Sequence, residues 1–331
     1  MNRLMVALSV ALALAGCAGA PPDLTAPSER PTTAQPTAPA TAATQLPTAP
    51  APTTPSSPSP QPTEDPDVTM LAVGDIAGCS VDADESVAEL VAKRDGVVAL
   101  LGDIAYDNGS TEDYRDCFDP AWGAVRERWH PTPGNHEYMS PGAGGYFEYF
   151  GEQAAGPGGW YSYDAGKHWR VIVLNSNCDQ VGGCTADSPQ GTWLTQALKD
   201  AAGRHILAYW HNARFSTGAH GSDPGVAPFW EQLHQAHADV ILNGHDHVYE
   251  RFAPQTPAGE PTPDGIRQFT VGTGGRGLYD YSGPPLPTTE VRNNDTYGVL
   301  ELTLGRDGYA WQFIPAVGTF TDSGTQQLPP P

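Results

Sequence analysis

The sequence predicts an α/β fold of four layers, with two mixed β-sheets packed as a sandwich and flanked by helices. Three observations lead there. A strand, a helix and a second strand follow one another from residue 68, and both strands end in Gly-Asp, as in a βαβ unit that presents two carboxylates at one rim. Further short apolar runs lead into Asn or His at the same relative place. After residue 245 strands dominate without intervening helices, which a plain doubly wound sheet does not accommodate.

Residues 1–17 open with Met-Asn-Arg, continue as an apolar run and close on Leu14-Ala15-Gly16-Cys17. A positive start, a short apolar core and small residues describe a secretory signal rather than a membrane span. The ending resembles a bacterial lipobox. That resemblance implies cleavage before Cys17 and lipidation of its thiol, so the membrane is met only through a lipid anchor. The expected location is the cell surface or envelope, or outside the cell if ordinary cleavage falls near residues 18–20. Residues 18–66 are Pro, Thr, Ala and Ser with hardly a large apolar side chain. They bury too little to offset their ordering entropy, and the prolines bias them toward extended conformations, so they read as a disordered, semi-stiff tether.

The catalytic domain is placed at 67–316, followed by a flexible tail at 317–331. Residues 68–73 form the first strand and 97–101 the second, with helical apolar spacing at Val87, Leu90 and Val91 between them. Strands follow at 160–164, 170–174, 205–210, 240–242, 268–271, 298–304 and 309–314. Amphipathic helices are expected at 189–202 and 229–238.

The formal net charge is -21, which argues against a nucleic-acid or anionic-membrane surface. It leaves room for an anionic substrate, because bound metal cations reverse the local field. Five cysteines are present; Cys17 belongs to the signal, and four in an exported chain predict two disulfides. Cys178 and Cys184 flank a short Gly-containing loop and form the natural local pair, leaving Cys79 with Cys117; free buried thiols are the alternative.

Asp75, Asp103, Asn135, His211, His245 and His247 all fall just past strand ends. A single Gly-Asp there is ordinarily a turn. A whole set of oxygen and imidazole donors without a cysteine instead suits Fe, Mn or Zn in a hydrolytic centre. Asp103, with two carboxylate oxygens, is the natural bridge between two ions.

Taken in order, Gly74-Asp75, Gly102-Asp103-Ile104-Ala105-Tyr106, Gly134-Asn135-His136-Glu137, His211 and Gly244-His245-Asp246-His247 resemble the calcineurin-like metallophosphoesterases. Tyr106, three residues after the bridging Asp, and the tail Val248-Tyr249-Glu250-Arg251 resemble the purple acid phosphatase branch. The resemblance implies a two-metal site at the strand ends. Asp75, Asp103, Tyr106 and His247 would hold one ion, and Asp103, Asn135, His211 and His245 the other. If Tyr106 is a ligand, Fe(III) is implied beside a divalent Fe, Zn or Mn; otherwise Zn, Mn or Fe. His136 would contact the substrate phosphate together with Asn135, and His220, matched by spacing, would contact it and protonate the leaving group. Arg214 lies close enough after His211 to reach a phosphate. The implied reaction is hydrolysis of a phosphate ester by a metal-bound hydroxide, most simply of a monoester. A phosphodiesterase or nucleotidase on the same site is the alternative, and a noncatalytic envelope-binding protein that keeps its metals is the remote one. Two departures from the branch stand out. The first loop, Asp75-Ile76-Ala77-Gly78, is one residue longer than the branch pattern, and the N-terminal β-sandwich of plant members is replaced by the Pro/Thr tether.

Overall fold

Strand β1 (Val68–Val73) buries both faces, and that double burial sets the layering. Leu71 and Val73 face one way, into a cluster with Val87 and Val91 of the helix Ala83–Ala92. Met70 and Ala72 face the other way, into a cluster with Trp169, Val171, Leu207 and Leu242. The computed structural model describes residues 65–80, 83–156 and 158–331. The signal read at 1–17, Cys17 included, and the tether up to residue 64 lie outside the described residues.

The strands that follow are β2 (Val97–Leu100), β3 (Trp129–Pro131), β4 (Tyr161–Ala165), β5 (Trp169–Val173), β6 (His205–Tyr209) and β7 (Val240–Asn243). After them come β8 (Tyr249–Phe252), β9 (Arg267–Val271), β10 (Thr289–Asn293), β11 (Tyr297–Gly305), β12 (Gly308–Val317) and β13 (Asp322–Gln327). One sheet runs β13-β12-β11-β1-β2-β3 and the other β10-β8-β9-β7-β6-β5-β4. Strands β1, β2 and β3 are mutually parallel, as are β5, β6, β7 and β9, and the remaining pairings are antiparallel. The helices Pro189–Asp200 and Ala227–Gln235 cover the outer face of the second sheet, with Leu194, Phe229, Trp230 and Leu233 against Ile172, Ile206 and Ile241. The result is the predicted sandwich of two mixed sheets between helical layers.

The predicted tail at 317–331 is corrected. Residues 322–327 form β13, paired with β12 in register Gly308↔Gln327 to Phe313↔Asp322. Its sequence, Asp-Ser-Gly-Thr-Gln-Gln, lacks the apolar alternation that marks a strand. What holds it is long-range. Asp322 accepts from Tyr249 Oη (2.8 Å), Arg251 Nε (2.7 Å) and Trp311 Nε1 (3.2 Å). At Gly324 a Cβ would sit 2.3 Å from the Trp311 ring, so only glycine lets that ring lie against the strand. The domain therefore extends beyond residue 316.

Both predicted disulfides are present, Cys79–Cys117 and Cys178–Cys184. The first closes a 38-residue span that includes the loop after β2, worth about 3 to 4 kcal/mol by chain entropy alone.

At the start of β6, His205 is buried, with Nδ1 3.5 Å from Asp239 Oδ2 and Nε2 3.1 Å from the Arg306 carbonyl. Burial alone would lower its pKa, but the Asp239 carboxylate and the Arg306 carbonyl outweigh it and raise it above 6.5. A histidine raised on folding adds stability in full below its unfolded pKa and loses that contribution as pH rises through the folded value. Urea midpoints measured from about pH 6 to about pH 9 are expected to fall more for the wild type than for Asp239→Asn, which removes the charge but keeps an acceptor for Ile206 N–H. Parallel pH profiles would exclude this role.

Candidate metal centre

Three of the strand-end residues pay no regard to the usual backbone preference. Asp75 (φ 59°), Asp103 (φ 48°) and His245 (φ 74°) all adopt the left-handed conformation. Such residues cost of order 1–3 kcal/mol each and persist where surrounding contacts hold them. Here the loops after β1 and β2 run side by side, with Asp75 N–H donating to the Gly102 carbonyl, Ile76 N–H to Asp103 and Ala77 N–H to Ile104. Gly134 supplies the close approach: a Cβ there would meet Asp103 Oδ1 at 2.1 Å.

The side chains converge in two groups that share Asp103. In the first, Tyr106 Oη lies 3.2 Å from Asp75 Oδ1, 3.2 Å from Asp103 Oδ2 and 3.1 Å from His247 Nε2. His247 Nε2 is also 3.4 Å from Asp75 Oδ1. In the second, His211 Nε2 is 3.2 Å from Asp103 Oδ2 and 3.2 Å from His245 Nδ1. Donor atoms of Asp103, His211 and His245 all fall within 4.8 Å of one another. The Nδ1–H groups of His211 and His247 donate to the carbonyls of Leu101 (2.8 Å) and Gly277 (2.7 Å), which turns Nε2 of each ring inward.

This donor set fits cations. The single Tyr106 proton can serve only one of the three atoms that face it, so lone pairs are in surplus. Asn135 Oδ1 is buried at the same rim without a hydrogen-bond partner among the described residues. Burial pushes His245 down to about 2 and His247 down to about 4, which keeps both imidazoles neutral and able to ligate. Burial also raises Asp75 and Tyr106 well above their usual values. For His211, burial is outweighed by Asp103 beside it, and its pKa rises to about 10. A proton on His211 thus balances the carboxylates, a charge that a cation supplies once bound.

Of the residues read as substrate-facing, two stand at the group. The His136 ring lies 4.4 Å from Tyr106, its Nδ1 is 2.5 Å from the Asp107 carbonyl, and its Nε2 is 3.9 Å from Asp103 Oδ2. The His220 ring lies 4.3 Å from His245, while its N–H donates to Asp246 Oδ1 at 2.7 Å. Arg214 contacts none of the donor residues among the described residues. The His211–His220 loop buries Phe215 against Trp230 (5.1 Å), and the Arg214 guanidinium lies 4.7 Å over the Phe215 ring, with no hydrogen bond or ion pair among the described residues. Arg251 braces Asp322 and Glu290 at the sheet edge.

Other residues carry roles that the sequence reading did not assign. Glu137, fully buried, accepts from the N–H groups of Asp103 (2.9 Å), Ile104 (2.9 Å) and Gly134 (2.7 Å) and from Tyr114 Oη (3.0 Å). Its place inside Gly134-Asn135-His136-Glu137 was the available signal. Ser216 Oγ lies 2.5 Å from Asp246 Oδ2 and 2.9 Å from Glu250 Oε2, and the two carboxylates also accept from the main-chain N–H groups of His220 and Thr217, which holds the loop that carries His220. The Tyr279 ring stacks on His247 at 3.9 Å, and nothing in its Gly-rich surroundings marks it in advance.

Two mixed sheets thus bring imidazole and carboxylate donors from separate loops to one rim. The sequence model of the calcineurin-like phosphoesterase family matches residues 68–249, more than half of the chain, and the chain belongs to that family. An uncharacterized protein of Mycobacterium tuberculosis, Rv2577, is 32% identical over 182 aligned positions, covering 47% of this chain and 34% of that relative. Purple acid phosphatase 22 of Arabidopsis thaliana is 27% identical, covering 65% of this chain and 53% of that relative. The chain thus spans about a third of the mycobacterial relative and about half of the plant one. In fold it is similar to the purple acid phosphatase PPD1 from yellow lupin (Lupinus luteus) seeds, with a TM-score of 0.67 at 16% identity over 81% of this chain and 55% of that chain.

Proposed function

We propose that this protein is an exported, purple-acid-phosphatase-like phosphoric ester hydrolase that holds two metal ions and acts on phosphomonoesters. The observation that carries the reading is the pair of donor groups sharing Asp103, with the unpartnered Asn135 Oδ1 at their edge. Asp75, Asp103, Tyr106 and His247 would hold one ion, and Asp103, Asn135, His211 and His245 the other. Ions bound there supply an activated water and neutralise charge on the phosphoryl oxygens.

The chain's own residues bind and orient the ester. His136, fixed at Nδ1 by the Asp107 carbonyl, keeps Nε2 toward the site for a phosphoryl oxygen. His220, whose main chain is held by Asp246, offers a solvent-facing imidazole that can give a proton to the departing oxygen. Tyr106 favours iron(III) in the first position, because a phenolate beside two buried carboxylates needs a highly charged ion to offset it. The lipobox-like ending at Cys17 and the tether support anchoring at the cell surface, where released phosphate would be available for uptake.

The test is kcat/KM on an aryl phosphate monoester and the matching diester, with full-length protein purified without chelator. A strong monoester preference together with a visible phenolate-to-iron absorption band is the expected result. A diester preference would move the assignment to a phosphodiesterase, and bound metals without turnover of either ester would count against an enzyme of this class.

A further inference from the structure

A cavity of about 440 Å³ is lined by Asn135, which stands at the rim of the metal centre. Asn212, the neighbour of His211, lines it too, together with Asn177, Asp223 and the exposed Asp179. Tyr138 lines it as well, with its hydroxyl fixed by Asn175 Nδ2 at 2.8 Å. No lysine, arginine or histidine is among its described lining residues. The wall is built rather than incidental. The Cys178–Cys184 disulfide closes the loop that carries Asp179, and Asn177 Nδ2 is tied to the carbonyls of Pro133 (3.3 Å) and Gly134 (3.2 Å), beside Asn135. Asn212 is tied through its N–H and Oδ1 to Ser176 Oγ, at 3.0 and 2.8 Å. Its Nδ2, like that of Asn135, has no partner among the described residues.

A surface of free amide donors and carboxylate acceptors matches hydroxyl groups, which both donate and accept. The same surface disfavours a second anion, because two carboxylates line it with no cationic side chain among its described lining residues. We propose that this cavity receives the leaving group of the ester, and that it selects an uncharged, hydroxyl-bearing group, such as a sugar or polyol, over one that carries another phosphate. The proposal rests on the phosphoesterase reading above and adds to it the substrate class.

Calorimetric Kd values on full-length, metal-loaded protein test it without requiring turnover. The probes are two non-hydrolysable hexose phosphonates, one bearing a single phosphonate at the 6-position and the other a second phosphonate at the 1-position. The probe with one phosphonate is expected to bind about tenfold more tightly at low salt, and the ratio to shrink at high salt as the carboxylates are screened. Asp179→Lys is expected to bring the ratio to one or invert it, and Asp179→Asn, which keeps the shape, to move it partway. Glu89→Lys changes net charge equally on the helix Ala83–Ala92, outside the cavity, and is expected to leave the ratio alone. Equal Kd values in the wild type, or a ratio that Asp179→Lys does not move, would overturn the proposal. Turnover of an aryl phosphate is recorded alongside: its absence tells against the phosphoesterase reading, while the Kd ratio alone decides the cavity.

Discussion

Asp103→Asn is expected to lower kcat/KM by about a thousandfold or more and to strip at least one equivalent of metal, because it removes the only side chain common to both donor groups. The substitution preserves shape. Asn Oδ1 can still accept the His136 N–H that Asp103 Oδ1 accepts at 2.8 Å, so the loop keeps its geometry. The two readouts should therefore separate: metal content and activity collapse while the thermal midpoint of chelator-treated protein changes little. Removing one of two crowded carboxylates also relieves repulsion with Asp75, which works against any loss of stability in the metal-free protein. Activity within tenfold of wild type at full metal content would take Asp103 out of the centre and with it the bridging arrangement.

Glu137→Ala is expected to cost stability as well as activity. Glu137 is the shared acceptor for three well-formed backbone N–H donors and the Tyr114 hydroxyl, all in a fully buried place. Deleting the carboxylate leaves those donors unpaired where water has little access, and each orphaned group costs about 1–3 kcal/mol. A loss of about 4 kcal/mol in urea unfolding is expected once partial relaxation is allowed for. Asp103 and Gly134 are among the residues so held, so metal affinity should fall about tenfold to a hundredfold, the usual effect of removing a group that orients ligands. Glu137→Gln keeps one acceptor oxygen but turns an amide N–H₂ toward the same donors, and it should fall between the two. An alanine variant as stable as wild type, with unchanged metal affinity, would show that the N–H cluster is satisfied in another way.

The two variants test different kinds of information. Asp103 was legible because a strand, a glycine and a carboxylate occur in a row, and four similar stretches stand in order along the chain, one before it and three after. The strands that carry these stretches were legible for the same local reason. Apolar runs such as 68–73, 97–101 and 240–242 are buried on both faces and so read as continuous. Strand β3 was not legible: Trp129-His130-Pro131 is three residues long, ends in proline and sits at a sheet edge. Strand β13 was not legible either, because its stabilising partners, Tyr249, Arg251 and Trp311, come from other elements. For Arg214, closeness to His211 in the chain did not reveal that its guanidinium lies over the Phe215 ring, which packs against Trp230.

By itself, then, the sequence determined which donor types stand at the strand ends, their order along the chain, the pairing of the four cysteines expected from position, and the family resemblance those stretches carry. Only the tertiary structure decided that donors from separate loops meet at one rim, that Nε2 of His211 and His247 faces inward, that Glu137 gathers the N–H groups beneath Asp103, and that Asn135 also lines a cavity with two carboxylates and no cationic side chain among its described lining residues. The physical reason is range. Strand periodicity and turn residues act over a few neighbours and are written locally, whereas convergence depends on parallel strand order and on the packing of two sheets, which join residues as far apart as Asp75 and His245.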